Sequence, residues 1–198
     1  MYLSLYNIAL KIFTLYSKLF HKYEVIGAEN MPSEGNIILA ANHKSNLDPI
    51  FIAAAIKNRK IATIGKKELF NNKLLSSILN KMYVIPIDRD NPSISTIKTI
   101  LKKIKEGFVI GIFPEGTRIK GNEFGEAKAG LALFAVKGKA HVVPISIISN
   151  YKIFDKVTVY IDKPISFEEY YKQKLSTEDY ERLSQNVLEV IKDNYYKR

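Results

Sequence analysis

The 198-residue chain contains no cysteine. That excludes disulfides, thiol nucleophiles, iron–sulfur clusters and cysteine-ligated zinc, and it suits a reducing compartment. Histidine is scarce: with only His21, His43 and His141, a three-histidine metal site would need all of them to converge. No segment reaches the roughly 18 uninterrupted apolar residues of a membrane-spanning helix. The longest uncharged stretch near the core, Ala140 to Tyr151, is too short and contains Pro144. Lysines at 11, 18 and 22 interrupt the N-terminal region, and no small-residue cleavage site follows. The expectation is therefore no signal peptide and a protein that stays on the side of the membrane where it is made. There is no Gly-x-x-x-x-Gly-Lys phosphate loop, no glycine fingerprint for a dinucleotide and no Gly-x-Ser-x-Gly elbow. Acidic residues are also short, 20 against 30 Lys and Arg, for a net charge of +10. An anionic partner such as phosphate, nucleic acid or an acidic membrane face follows. What is present suffices for one ordinary domain with an appended arm: 46% of residues are hydrophobic and 25% charged, which argues against disorder.

Polar residues in the first 22 positions fall at Ser4, Asn7, Lys11, Thr14, Lys18 and then His21 or Lys22, in steps of three and four. On a helix they form one narrow stripe, and the remaining Leu, Ile, Phe, Tyr and Ala make a wide apolar arc. With three lysines and no acid, the segment reads as a helix lying in a membrane interface, His21 facing headgroups or solvent. The competing reading packs the helix over its own domain or a second chain.

From Glu24 onward, short apolar runs read as strands at Ile37–Ala41, Ile61–Ile64, Tyr83–Ile87, Phe108–Phe113, Val142–Ile148 and Val157–Ile161. Helical patterns at Pro49–Ile56, Asn71–Asn80, Ser93–Lys105 and Ala127–Lys137 separate them. Strands alternating with helices predict an α/β fold, a single domain with a largely parallel central sheet flanked by helices. A closing helix has an apolar face of Tyr180, Leu183, Val187, Ile191 and Tyr195, and Ser176 with Asp179 forms a capping-box start. Lysines 98, 102, 103 and 105 mark a solvated helix face, and His141 opens a strand as a structural residue.

Two polar clusters interrupt the apolar pattern where strands should end. In Asn42-His43-Lys44-Ser45-Asn46-Leu47-Asp48-Pro49, Asp48 looks like a helix cap before proline at the first helical position. Residues five apart on a continuous helix point about 140° away from each other, so His43 and Asp48 meet only across a turn. A carboxylate bonded to an imidazole fixes its tautomer and stabilises the imidazolium, which describes a general base with an orienting partner. A loop histidine beside a helix-capping aspartate is the plainer alternative. The second cluster is Phe113-Pro114-Glu115-Gly116-Thr117-Arg118. Gly116 allows a tight turn or close approach to a ligand. Arg118 offers a fork for phosphate or carboxylate, and Glu115 could bind a hydroxyl or hold Arg118 in place; a surface turn with a local ion pair is the alternative. Lys66-Lys67-Glu68-Leu69 and Asp88-Arg89-Asp90 follow two further strands. Ligands of open α/β sheets bind outside the carboxyl ends of the strands. All four groups then share one rim: a base with its carboxylate, and cations for an anion.

Asn42-His43-x4-Asp48, Ile87-Asp88-Arg89, Phe113-Pro114-Glu115-Gly116-Thr117-Arg118 and Val143-Pro144-Ile145 together resemble the four blocks of the glycerolipid acyltransferase family, in its order and with similar spacings. Ala127-Lys128-Ala129-Gly130 is similar to the family as well. The nearest resemblance is to its bacterial 1-acylglycerol-3-phosphate branch. It implies transfer of a fatty acyl group from a thioester to the 2-hydroxyl of 1-acylglycerol 3-phosphate, giving phosphatidic acid. By the same resemblance, His43 is the base and Asp48 orients it. Lys66, Arg89 and Arg118 bind the glycerol phosphate, while Glu115 and Gly116, with Thr117 between them and Arg118, shape the acceptor pocket. Pro144 belongs to the donor side. Acyl-coenzyme A or acyl-acyl-carrier protein serves as co-substrate, with no cofactor and no metal. Residues 1–22 are then a membrane-docking helix, residues 23–198 the acyltransferase domain, and the protein a peripheral one on the cytoplasmic face of the cell membrane, bound to its anionic surface. Two positions depart from the family pattern. Tyr83 stands where glycine is frequent, which implies a narrowed site or a shifted substrate choice, and Ile119 stands where serine is frequent.

Related readings are an acyltransferase using glycerol 3-phosphate or another lysophospholipid, and a non-catalytic lipid-binding protein of the same fold, against which His43 and Asp48 speak. A nucleic-acid-binding module fits the charge, but the lysines are scattered and no reading motif appears, so no nucleic-acid partner is expected.

Overall fold

A computed structural model describes residues 4–88 and 92–197. Its helices are α1 (Leu5–Phe20), α2 (Asp48–Ala55), α3 (Lys73–Lys81), α4 (Ile94–Lys105), α5 (Gly130–Gly138) and α6 (Thr177–Tyr196). Its strands are β1 (Lys22–Ile26), β2 (Ile37–Ala41), β3 (Ile61–Lys66), β4 (Ile85–Ile87), β5 (Val109–Ile112), β6 (His141–Ser149) and β7 (Lys156–Ile161). The strands form one sheet in the order β1-β7-β6-β2-β5-β3-β4. Every neighbouring pair is parallel except β6 with β7.

The largely parallel α/β sheet expected from the alternation is present. The middle strand shows why: all five residues of β2 are buried, as a strand covered on both faces requires. Ile38 and Ala40 face a layer made by α4, α5 and α6, whereas Ile37, Leu39 and Ala41 face α2 and the inner side of α1. Helix α6 begins with the capping box of Ser176 and Asp179 and buries Tyr180, Leu183, Val187, Leu188 and Ile191.

Three local readings change. Strand β1 was not foreseen; it pairs with β7, 130-odd positions along the chain, with Lys22 in register with Lys156. His21 is buried, not facing headgroups. Helix α1 stops at Phe20, so the helical period that placed His21 on the polar stripe no longer applies, and the ring packs against Tyr16 and Phe51. Tyr83 adopts φ 58°, a left-handed backbone that favours glycine. That explains glycine's suitability there and keeps Tyr83 out of the strand expected to begin with it, so β4 starts only at Ile85. The Tyr83 ring packs against Tyr6 and Phe108 (centroids 5.2 and 4.8 Å) and does not narrow the site.

Helix α1 uses its wide apolar arc in two parts. Tyr6 is buried and its hydroxyl accepts from Ile61 N at 2.8 Å, fastening the helix to β3. Ile8, Ile12, Leu15 and Leu19, spaced four, three and four residues apart, stay exposed. No described helix is long and apolar enough to cross a membrane.

Candidate active site

Strands β2, β3, β4 and β5 run in the same direction and end on one rim. The chain leaves β2 through Asn42, whose side chain donates to Ile147 O (3.0 Å) and accepts from Ile147 N (2.7 Å). This buried amide replaces a missing rung between the turn and β6 and fixes where His43 begins.

Asp48 is the first residue of α2, and it does not cap the helix as expected; Leu47 occupies that place. The carboxylate turns back into the preceding turn. Oδ2 accepts from His43 Nδ1 (2.9 Å), Lys44 N (2.7 Å) and Ser45 N (2.8 Å). Oδ1 accepts from the Tyr151 hydroxyl (2.7 Å). Four donors thus converge on a fully buried carboxylate, the compensation such burial demands. Burial and the nearby Asp48 charge push the Tyr151 phenol far above its ordinary pKa, so it remains a donor.

A carboxylate can only accept, so the His43 proton sits on Nδ1 and Nε2 is free to take one from a substrate. The imidazole stacks on Phe113 with centroids 3.9 Å apart and planes 15° off parallel. Its backbone is clamped as well: His43 N donates to Glu115 Oε2 (3.1 Å) and His43 O accepts from Ile119 N (2.9 Å). Glu115 is buried, and its other oxygen accepts from Gly125 N (3.0 Å). Its role is therefore to tie three loops together, and it does not hold Arg118.

Arg118 is held by Asn46, within the histidine turn, through Nη1 to Oδ1 at 2.8 Å. The two clusters, 70-odd residues apart in sequence, meet here. Gly116 takes φ 67°, which lets the chain reverse between Glu115, pointing inward, and Arg118, pointing out. Beside this turn lies a cavity of about 570 Å³. Ile64, Leu131 and Phe134 contribute apolar walls, and Lys66, Arg118 and Lys128 contribute cations. Gly116 and Thr117 also line it. Lys66 lies 3.7 Å from Glu68, and Lys67 pairs with Asp88. Among the described residues Arg118 and Lys128 have no carboxylate partner, so they supply the unspent positive charge. Lys128 was not singled out as a cation from the sequence. Arg89 lies outside the described residues. Pro144 sits inside β6 in register with Ala40, within the sheet and not on the cavity wall.

Next to the pair, Lys44 extends over the Phe124 ring (4.1 Å) and donates to Glu123 O. Desolvation pulls its ammonium below the usual lysine range, against the pull of Glu115, Glu123 and Asp48. It braces the 119–125 loop over the turn.

An imidazole with one nitrogen engaged by a buried carboxylate thus stands next to a cationic cavity at the strand ends, an arrangement chemically able to take up a proton beside a bound anion. Residues 22–148 match the family model described as Acyltransferase, and the chain belongs to that family. It is 40% identical over 121 residues to the 1-acyl-sn-glycerol-3-phosphate acyltransferase of Bacillus subtilis, across 61% of this chain and 60% of that protein. It is 27% identical over 187 residues to the enzyme of the same name from Borreliella burgdorferi, across 89% and 71%. The crystal structure of the 1-acyl-sn-glycerophosphate acyltransferase PlsC from Thermotoga maritima superposes with a TM-score of 0.71 at 26% identity, covering 95% of this chain and 79% of that one. The matched segment spans 60% of the Bacillus protein and 41% of the Streptococcus pneumoniae one.

Proposed function

We propose that the protein transfers a fatty acyl group from a thioester to the 2-hydroxyl of 1-acylglycerol 3-phosphate, giving phosphatidic acid. The observation that carries this reading is the Arg118–Asn46 contact, which holds a guanidinium with no carboxylate partner among the described residues against the turn that carries the His43–Asp48 pair. The names of the relatives support the choice of acceptor.

In the reaction His43 Nε2 takes the proton of the 2-hydroxyl as its oxygen attacks the thioester carbonyl. The new C–O bond forms, the C–S bond breaks, and the thiolate leaves with the proton His43 holds. Asp48 steadies the imidazolium between the two transfers. A thioester is already activated, so no covalent acyl-enzyme is required. General-base help contributes about 10²–10⁴-fold, and positioning supplies much of the remainder. Arg118, Lys66 and Lys128 grip the phosphate, with Arg89 assigned to the same task from its motif. Gly116 and Thr117 shape the acceptor pocket, and Glu115 keeps its wall in place. The donor is acyl-coenzyme A or acyl-acyl-carrier protein.

The enzyme sits as a peripheral protein on the anionic cytoplasmic face of the membrane. The exposed Ile8, Ile12, Leu15 and Leu19 of α1 enter the interface, and Lys11 and Lys18 beside them meet the headgroups. The test is release of free thiol with both donor types against lysophosphatidate, glycerol 3-phosphate and neutral lysolipids. Release that depends on lysophosphatidate supports the reading; release with glycerol 3-phosphate alone reassigns the acceptor, and none with any pair removes the enzymatic reading.

A further inference from the structure

The β6–β7 turn carries features that pairing in the sheet does not require. Tyr151 and Phe154 both adopt left-handed backbone, φ 58° and 68°, although neither is glycine; such residues cost on the order of 1 kcal/mol each. Ile153 and Phe154 at the tip are 61% and 65% exposed. The tip is bonded to the end of α1: Phe154 N donates to Phe20 O (2.7 Å), and Lys22 N donates to Asp155 O (3.0 Å). The exposed tip is therefore anchored at the C-terminal end of α1, where Leu19 and Phe20 are also exposed. Lys18, Lys22 and Lys152 surround this patch, exposed and without an ion pair among the described residues. The fourth lysine, Lys156, pairs with Glu24 (2.8 Å), and Asp155 is half-buried. An apolar patch rimmed by unpaired lysines has the chemistry of a surface for anionic lipid.

The same turn reaches the catalytic pair. One residue before Lys152, Tyr151 sends its hydroxyl to Asp48 Oδ1 (2.7 Å). Its ring stacks toward Phe51 at 6.4 Å, and its backbone N donates to Ser149 Oγ (2.9 Å). The oxygen of Asp48 that His43 does not use is thus held by a side chain rooted in the exposed turn.

We infer that Ile153 and Phe154 insert into an anionic bilayer together with α1, and that Tyr151 is a positioning residue through which this contact steadies Asp48 and His43. The inference rests on the membrane reading of α1 given above.

The chain has no tryptophan, so Phe154→Trp places a single fluorophore at the tip. With phosphatidylglycerol vesicles carrying brominated acyl chains, the expected result is a blue-shifted emission that the bromines quench, in protein that sediments with the vesicles. Sedimentation without shift or quenching overturns insertion of the tip while leaving α1 docked. Failure to sediment with any vesicle overturns the docking of α1 as well. In the second arm, Tyr151→Phe keeps the ring and removes only the hydroxyl. It is expected to sediment like the natural protein and lose roughly tenfold in kcat, the size of one hydrogen bond to a charged group, with KM for donor and acceptor unchanged. An unchanged kcat overturns the positioning role.

Discussion

Asp48 is buried under four donors, and His43 is stacked, bonded and clamped at both backbone ends. Across the rim, Lys66, Arg118 and Lys128 stand exposed around an open cavity. On the proposed mechanism the base is held in place before any substrate arrives, whereas the cations assigned to the phosphate are exposed and held by few contacts. Such a division suits a reaction in which orientation of the nucleophile limits the rate. Breaking the rigid half should cost turnover; breaking the loose half should cost affinity.

The largest expected effect is that of His43→Ala. Loss of the base should lower kcat in the thiol-release assay by about 10²–10⁴-fold, with vesicle binding and the melting temperature retained. Comparable turnover would remove His43 from the mechanism. Arg118→Ala should raise KM for lysophosphatidate by about tenfold or more, since a charge-assisted hydrogen bond contributes about 1.5–3 kcal/mol, and should leave kcat nearly intact. An effect confined to kcat would place Arg118 in the rigid half and collapse the contrast. Lys66→Ala should be mildest, about a two- to threefold rise in the same KM, because its ammonium is exposed and already shared with Glu68. If Lys66 outweighed Arg118, the phosphate would lie nearer the β3 end than the Asn46 contact indicates.

The strand ends and the two main clusters were legible because each is a local event: an apolar run stops, and polar residues with turn chemistry follow. That local chemistry puts His43, Asp48, Glu115 and Arg118 on one rim. Roles that depend on distant partners were not legible. Locally Glu115 reads as a binder of a hydroxyl or a partner for Arg118, three residues away, but its oxygens reach His43 and Gly125 instead. Tyr151 meets Asp48 across 103 positions, and nothing in the local pattern of the turn announces it. Strand β1 is five residues long, and its pairing with β7 is likewise nonlocal. His21 shows the reverse failure, a periodicity carried one residue past the end of its helix. Asp48 divides: the expected meeting with His43 across the turn is present, whereas the cap that its place before proline suggests falls to Leu47.

The central claim is that one site both grips a phosphate and activates a neighbouring hydroxyl. Measuring kcat/KM for lysophosphatidate and for the monoacylglycerol lacking only its phosphate tests it most directly, in the natural protein and in Arg118→Ala. A strong preference for the phosphorylated acceptor that shrinks by about tenfold in the variant, as loss of one charge-assisted contact requires, is the predicted result. Equal use of the two acceptors by the natural protein, or a preference untouched by Arg118→Ala, would contradict it.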